Sequence, residues 1–308
     1  MKILDGTQVR LAHTPELIKE FGQLKSQYGY NHYPCVQLLV LKDGFSYQPL
    51  HAQLGRCDVS ERTIAREVFA SLAANDVVLL DRGLGGQEVY RMLYEKKVFF
   101  IHRVACKGRG VAIYLQDFIN SGEASRTGEL GRIDDKLKLQ LRMVRTILPN
   151  GELIVYVTNL LDQASYKDFD IHTLYAQRWS VETTFGYMKA TLNIEGIKAK
   201  TANSVRQDIF AHLILLAVSA QVQDRAANIL KLDPSKARPS LKNIFVILRK
   251  NMIELITATD LNKVWKKIIK LAQEIIWVKQ PGRSRPRYSM QPQNRWSNDR
   301  YRRKKTLT

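Results

Sequence analysis

Acidic residues are in short supply in this chain: 29 Asp and Glu face 48 Lys and Arg, a formal charge of +19 and a pI near 9.8. That balance argues against a cationic partner and for a polyanion, with nucleic acid ahead of an anionic membrane surface. Cysteine is scarce as well. Cys35, Cys57 and Cys106 form no C-x-x-C pair, which disfavours a zinc ribbon and a disulfide framework and leaves reduced core thiols. His13, His32, His51, His102, His172 and His212 show no H-x-x-x-H spacing, so any bound metal is expected on carboxylates. No run reaches the ~18 apolar residues of a membrane span. The longest candidate, IFAHLILLAVSAQV (209–222), is closed by Asp208 and Asp224 and reads as a buried helix. The start, MKILDG, has neither the charged segment nor the apolar core of a secretory signal, so a cytoplasmic protein without a membrane partner is expected.

With 308 residues the chain can bury a full core without metal or disulfide staples. KILDGTQVRLA alternates with Ile3, Asp5, Val9 and Leu11 on one side, and YPCVQLLVLKD (33–43) and FSYQPLHAQL (45–54) follow as two more strand-like runs. These predict an antiparallel meander. Asp58 and Glu61 have capping-box spacing and open a predicted helix over 61–74, with Glu61 in the capping role. NDVVLLDRG and KVFFIHRV (97–104), separated by a helical stretch over about 86–96, suit strands buried on both faces. The expected class is therefore α/β, a mixed sheet flanked by helices, its first part spanning 1–104.

Between 105 and 160 the pattern changes to a β-rich insertion. KLKLQLRMVRTIL alternates basic with apolar residues, Pro149–Gly151 marks a hairpin, and ELIVYVTNL returns. Lys136, Lys138, Arg142 and Arg145 are expected to widen a polyanion-binding face. The segment 161–225 should complete the catalytic domain with two helices, 226–278 should form a C-terminal helical region, and 279–308 is a basic tail too poor in aliphatic residues to fold alone.

One helix carries an unusual mixture. In YAQRWSVETTFGYMK (175–189), Tyr175, Arg178, Glu182 and Lys189 fall in one stripe about 60° wide on an ideal helix, beside an apolar face of Leu174, Val181, Phe185, Met188 and Leu192. By spacing alone this is equally well a solvated edge with an Arg178–Glu182 pair. Two further carboxylates sharpen the alternative. Asp5 lies in the first strand, and Asp81 directly follows VVLL, where open α/β sheets place functional groups. Three acidic side chains at one sheet edge repel one another unless a cation lies between them, and hard oxygen donors select Mg²⁺ or Mn²⁺. Two such ions suit in-line attack on a phosphodiester.

Y-x2-R-x3-E-x6-K, read as Tyr175, Arg178, Glu182 and Lys189, resembles the YREK signature of DDE insertion-sequence transposases of family four, the bacterial cut-and-paste enzymes. DGT (5–7), LLDRG (79–83) and RWSVET (178–183) extend the resemblance over roughly residues 3–225. It implies an RNase H-like catalytic domain with a β insertion before the helix carrying the glutamate. Asp5, Asp81 and Glu182 would hold two Mg²⁺ ions, with Mn²⁺ a possible substitute. Tyr175, Arg178 and Lys189 would bind phosphates of the transposon end, and transposon-end and target duplexes would be the partners of a homodimer acting in the bacterial nucleoid. Hydrolytic nicking followed by attack of the freed 3′-hydroxyl is the implied reaction. Family members carry an end-recognition domain ahead of the first aspartate, whereas only MKIL precedes Asp5 here. The expectation is therefore an N-terminally truncated enzyme that reads phosphates more than bases, binds in a strongly salt-dependent way and nicks weakly without end preference. The residue pattern after D-R-G also departs from the family, with Leu84 and Gly85 where an aromatic residue is common. Two alternatives stay open: a non-catalytic DNA-binding relic or inhibitor of transposition, and a structure-selective nuclease.

Overall fold

The alternation of KILDGTQVR produces β1 (Lys2–Arg10) in a computed structural model that describes residues 1–26, 29–107, 113–130 and 138–278. The basic tail over 279–308 and Lys136 lie outside the described residues. After β1 comes α1 (Pro15–Phe21), capped by Thr14, whose hydroxyl accepts from the Leu17 amide. Sequence patterning alone passed over this short helix. A ribbon of β2 (Lys25–Ser26) and β3 (Gly29–Tyr30) leads to β4 (Cys35–Asp43), β5 (Pro49–Arg56), α2 (Glu61–Ala70), β6 (Val77–Leu80), α3 (Gln87–Glu95) and β7 (Phe99–Val104). The expected strand, helix and strand order is present. Next come α4 (Ile113–Ser121), β8 (Ser125–Leu130), β9 (Leu139–Ile147), β10 (Leu153–Thr158), α5 (Asp168–Ala176), α6 (Trp179–Ala190) and α7 (Ala202–Ile229). The chain closes with β11 (Ala237–Pro239), α8 (Leu241–Lys250), α9 (Met252–Thr257), α10 (Leu261–Ala272) and β12 (Ile276–Val278).

Eight strands form one mixed sheet in the order β5-β4-β1-β6-β7-β10-β9-β8. β1 pairs antiparallel with β4 and parallel with β6, and β6 runs parallel to β7. The segment 105–160 prolongs this sheet, because β10 pairs antiparallel with β7. Its β9–β10 hairpin turns at Pro149–Gly151, where Gly151 takes a positive φ of 81°. Residues alternating along β1 face opposite layers. Ile3 and Val9 pack with Val181, Phe185, Val205 and Ile209 of α6 and α7, whereas Leu4 packs with Ile64, Val68 and Phe69 of α2. A third cluster joins α7, α8 and α10 through Val222, Ile244, Leu248 and Ile268. The 28-residue α7 is apolar and long enough to cross a membrane by composition. Its Val205, Ile209, Leu213 and Leu216 nevertheless pack into the sheet's core, as in a core helix of a globular domain.

Lys42 of β4 is fully buried, donating to the Asp43 carbonyl at 2.7 Å and to Ser180 Oγ of α6 at 3.0 Å. Burial pushes its ammonium down to about 8. Below that pH both folded and unfolded chains carry the charge. Between about 8 and 10.5 the unfolded chain alone keeps the proton, so stability rises with pH through that window. The gain is on the order of 3 kcal/mol. Denaturant unfolding of the parent and of Lys42→Met should therefore converge above pH 10 and diverge toward pH 7, with Lys42→Met the more stable at neutral pH. A constant difference across that range would refute the account.

Candidate active site

β6 ends at Leu80, paired with Leu4, while β1 runs on to Arg10. The next position in register sets Asp5 against Asp81, the first residue beyond β6, at the point where the parallel pair parts. From the other layer α6 brings Arg178 and Glu182. The Arg178 guanidinium sits among all three acids: Nη1 donates to Asp5 Oδ2 at 3.1 Å, Nε lies 3.8 Å from Asp81 Oδ1, and Nη2 is 3.4 Å from Glu182 Oε1. Arg178 is 4% exposed. Burial raises Asp5 to about 6, against the lowering effects of the Gly6 amide and Arg178; Asp81 and Glu61 raise it further.

The helix expected over 175–189 is broken. Gln177, Arg178, Ser180 and Val181 donate their amides three residues back, to Leu174, Tyr175, Gln177 and Arg178, so the α5–α6 junction is a tight turn. Each such residue advances about 120° in place of 100°, which swings Tyr175 out of the stripe. Tyr175 is buried, and its hydroxyl donates to the Leu80 carbonyl at 3.3 Å, just before Asp81. Burial holds that phenol well above its ordinary range. Lys189 sits in the last turn of α6 and pairs with Glu195 at 3.0 Å. Trp179 stands half-exposed at the start of α6, with the Arg178 guanidinium 5.0 Å over its ring.

The turn carrying Asp81 is buttressed from below. His102 is buried, accepts or donates to Tyr90 Oη at 2.5 Å, and reaches the Arg82 carbonyl at 3.4 Å. Burial pushes it down to about 4, so it is neutral at physiological pH. A Cβ at Gly85 would fall 2.1 Å from the His102 ring. That close approach leaves no room for a side chain at this position. Of the alternating basic residues, Arg142 is buried: it pairs with Asp168 and donates to the Tyr166 carbonyl at 2.6 Å. Its expected role on a binding face is thus corrected, since its cation is consumed inside the fold. Arg145 donates to the Ile119 carbonyl, and Lys138 is exposed, 3.7 Å from Glu129.

A family model described as "Transposase DDE domain" matches residues 2–218. The chain belongs to this family of transposase DDE domains. The putative transposase y4zB of Sinorhizobium fredii (strain NBRC 101917 / NGR234) is 22% identical over 228 residues, 71% of this chain and 59% of that protein. Among solved structures, the cryo-EM structure of the piggyBac transposase synaptic complex with hairpin DNA superposes with a TM-score of 0.53 at 10% identity. The match covers 92% of this chain and 59% of that one, and it agrees with an RNase H-like fold. The transposase domain thus spans about six-tenths of the length of the relatives it matches.

The family implies divalent cations. Every candidate ligand is a hard carboxylate oxygen, suited to Mg²⁺ or Mn²⁺. Among the described residues no three His, Cys, Asp or Glu side chains already converge as a metal cage. Arg178 stands between the acids and supplies their positive charge. Its buried Nε has no hydrogen-bond partner, so one donor of the fork is left for an incoming oxygen. The residues fit cation binding in which Arg178 yields its place. Sequence reasoning missed one neighbour, Glu61, which it read as a helix cap. Ser60 is the capping position, and the Glu61 carboxylate turns to Gln37 Nε2 at 2.6 Å. The signal in the sequence was Gly6 inside a strand-like run, the mark of a close approach by another group.

Proposed function

We propose that this transposase domain cuts and rejoins DNA at the ends of an insertion sequence of the family-four, YREK type. The observation that supports this most directly is the gathering of Asp5, Asp81 and Glu182 around one guanidinium at the open end of β6. Asp5, Asp81 and Glu182 would hold Mg²⁺, or Mn²⁺ in its place. When bound, two such ions activate an attacking oxygen and stabilise the leaving one. Arg178, released from the acids, has the planar fork to clamp a phosphate, and Lys189 can swing from Glu195 to a second phosphate as a point charge. Tyr175 acts indirectly: its bond to the Leu80 carbonyl fixes the strand end from which Asp81 projects. The charge of +19 favours duplex DNA as substrate, and its neutralisation by the duplex would let two copies of this basic chain pair there. The reaction would be nicking by water, then attack of the freed 3′-hydroxyl on the opposite strand or on target DNA, carried out in the cytoplasm at the nucleoid.

The test is cleavage of a labelled duplex carrying the element's own terminal repeat in Mg²⁺ or Mn²⁺. Nicking is expected from the parent, and a loss of at least about a hundredfold from Glu182→Gln. Equal nicking by both would refute the site. Duplex binding without cleavage in either metal would favour the non-catalytic relic.

A further inference from the structure

We propose that Glu61 is a fourth carboxylate of this site and that, with Asp81, it holds the second of the two divalent cations; the inference rests on the strand-cleavage reading above. Glu61 opens α2, in the layer opposite Arg178. Its carboxylate fills the space where Gly6 has no side chain: a Cβ there would lie 2.9 Å from Glu61 Oε1 and 2.8 Å from Gln37 Nε2. Gly6 lies inside β1, paired with Leu39 of β4. It leaves room for an acid beside Asp5.

The placement is built from several contacts. Gln37, 2% exposed, donates Nε2 to Glu61 Oε1 at 2.6 Å and fixes that oxygen. Oε2 is left on the side of the Asp81 turn, where a Cβ at Gly83 would lie 3.9 Å from it. Arg62 Nε donates to the Gly83 carbonyl at 2.8 Å, and the Leu84 amide donates to the Asp81 carbonyl at 2.9 Å. The first turn of α2 is thereby stapled to the turn that carries Asp81. A glutamate at the start of a helix ordinarily faces water or caps the backbone, at no cost in desolvation. This one is drawn under the sheet beside Asp5 and Asp81, held by a neutral donor. Arg178 answers the acids on the other face. Carboxylates brought together in this way are compensated when a cation is shared between them. Asp81 Oδ1 lies 3.8 Å from Arg178 Nε, beyond hydrogen-bond distance, so the guanidinium leaves Asp81 oxygens available to a shared cation.

Titration of the full chain with Mn²⁺ alone, followed by the electron paramagnetic resonance signal of the free ion, tests this apart from activity. The parent should bind two ions per chain, and Glu61→Gln, which keeps the shape and a bond to Gln37, should bind one. Metal-free melting temperatures of the two should agree within about 3 °C, a difference near 1 kcal/mol. Gln37→Met, which removes the fixing donor and leaves the acid, should weaken the second ion about tenfold without abolishing it. Glu61→Gln binding Mn²⁺ as the parent does, while Asp81→Asn loses it, would overturn the role of Glu61 and leave the triad standing. Asp81→Asn binding as the parent does would overturn the cleavage reading itself.

Discussion

Arg178→Ala is expected to bind Mn²⁺ at least about tenfold more tightly than the parent when DNA is absent, and to lose DNA cleavage altogether. The guanidinium touches the same three carboxylates that a divalent cation needs, so the two cations compete for one set of oxygens. Its removal also leaves a largely but not fully buried Asp5 without its opposite charge. The metal-free variant should therefore lose about 3 kcal/mol at pH 7, in the range found when one partner of a buried pair is deleted. Millimolar Mn²⁺ should restore more stability to the variant than to the parent, because a ligand that binds only the folded state stabilises it in proportion to its affinity. Calorimetric Mn²⁺ titration and melting curves with and without the ion measure both effects. An affinity equal to or below that of the parent would show that Arg178 does not occupy the cation's place. Cleavage retained in the variant would remove it from the reaction.

Arg142→Ala is expected to be among the most destabilising single changes of the basic residues. The guanidinium is 1% exposed and bridges β9 to the segment leading into α5, through Asp168, Ser125 and the Leu160 and Tyr166 carbonyls. Truncation would leave the buried Leu160 carbonyl without a donor and strip the partly exposed Asp168 carboxylate and Tyr166 carbonyl of theirs, at a cost of about 3 kcal/mol. For a chain of this size that corresponds to a melting point lower by about 10 °C. The salt dependence of duplex binding should stay that of the parent, since Arg142 contacts no solvent-facing phosphate path. Lys138→Ala is the control: exposed and loosely paired, it should leave stability within about 0.5 kcal/mol. A weaker salt slope with unchanged stability in Arg142→Ala would reinstate it as a binding residue.

Much of this protein was legible in the chain itself. Alternation in β1, the buried runs of β6 and β7, and the charge of +19 each depend on neighbours in sequence or on composition, so they survive without tertiary information. The positions of Asp5 within β1 and of Asp81 just after the apolar β6 are legible in the same way, whereas their standing side by side follows from the register of β1 with β6. What only the tertiary structure decided depends on contacts between distant segments. Tyr175 left the polar stripe because packing tightened the α5–α6 junction away from ideal helical period, which no periodicity can anticipate. Arg142 and Lys42 look on paper like surface cations, and they are buried because Asp168 in one case and Ser180 in the other come from elsewhere in the chain. Glu61 has the spacing of a helix cap, and it became a neighbour of Asp81 only when Gly6 and Gln37, on two other strands, made space and a donor for it. Local pattern determines which residues alternate and which are charged; the meeting of charges from separate strands and helices is settled by packing, where burial makes each unpaired group expensive.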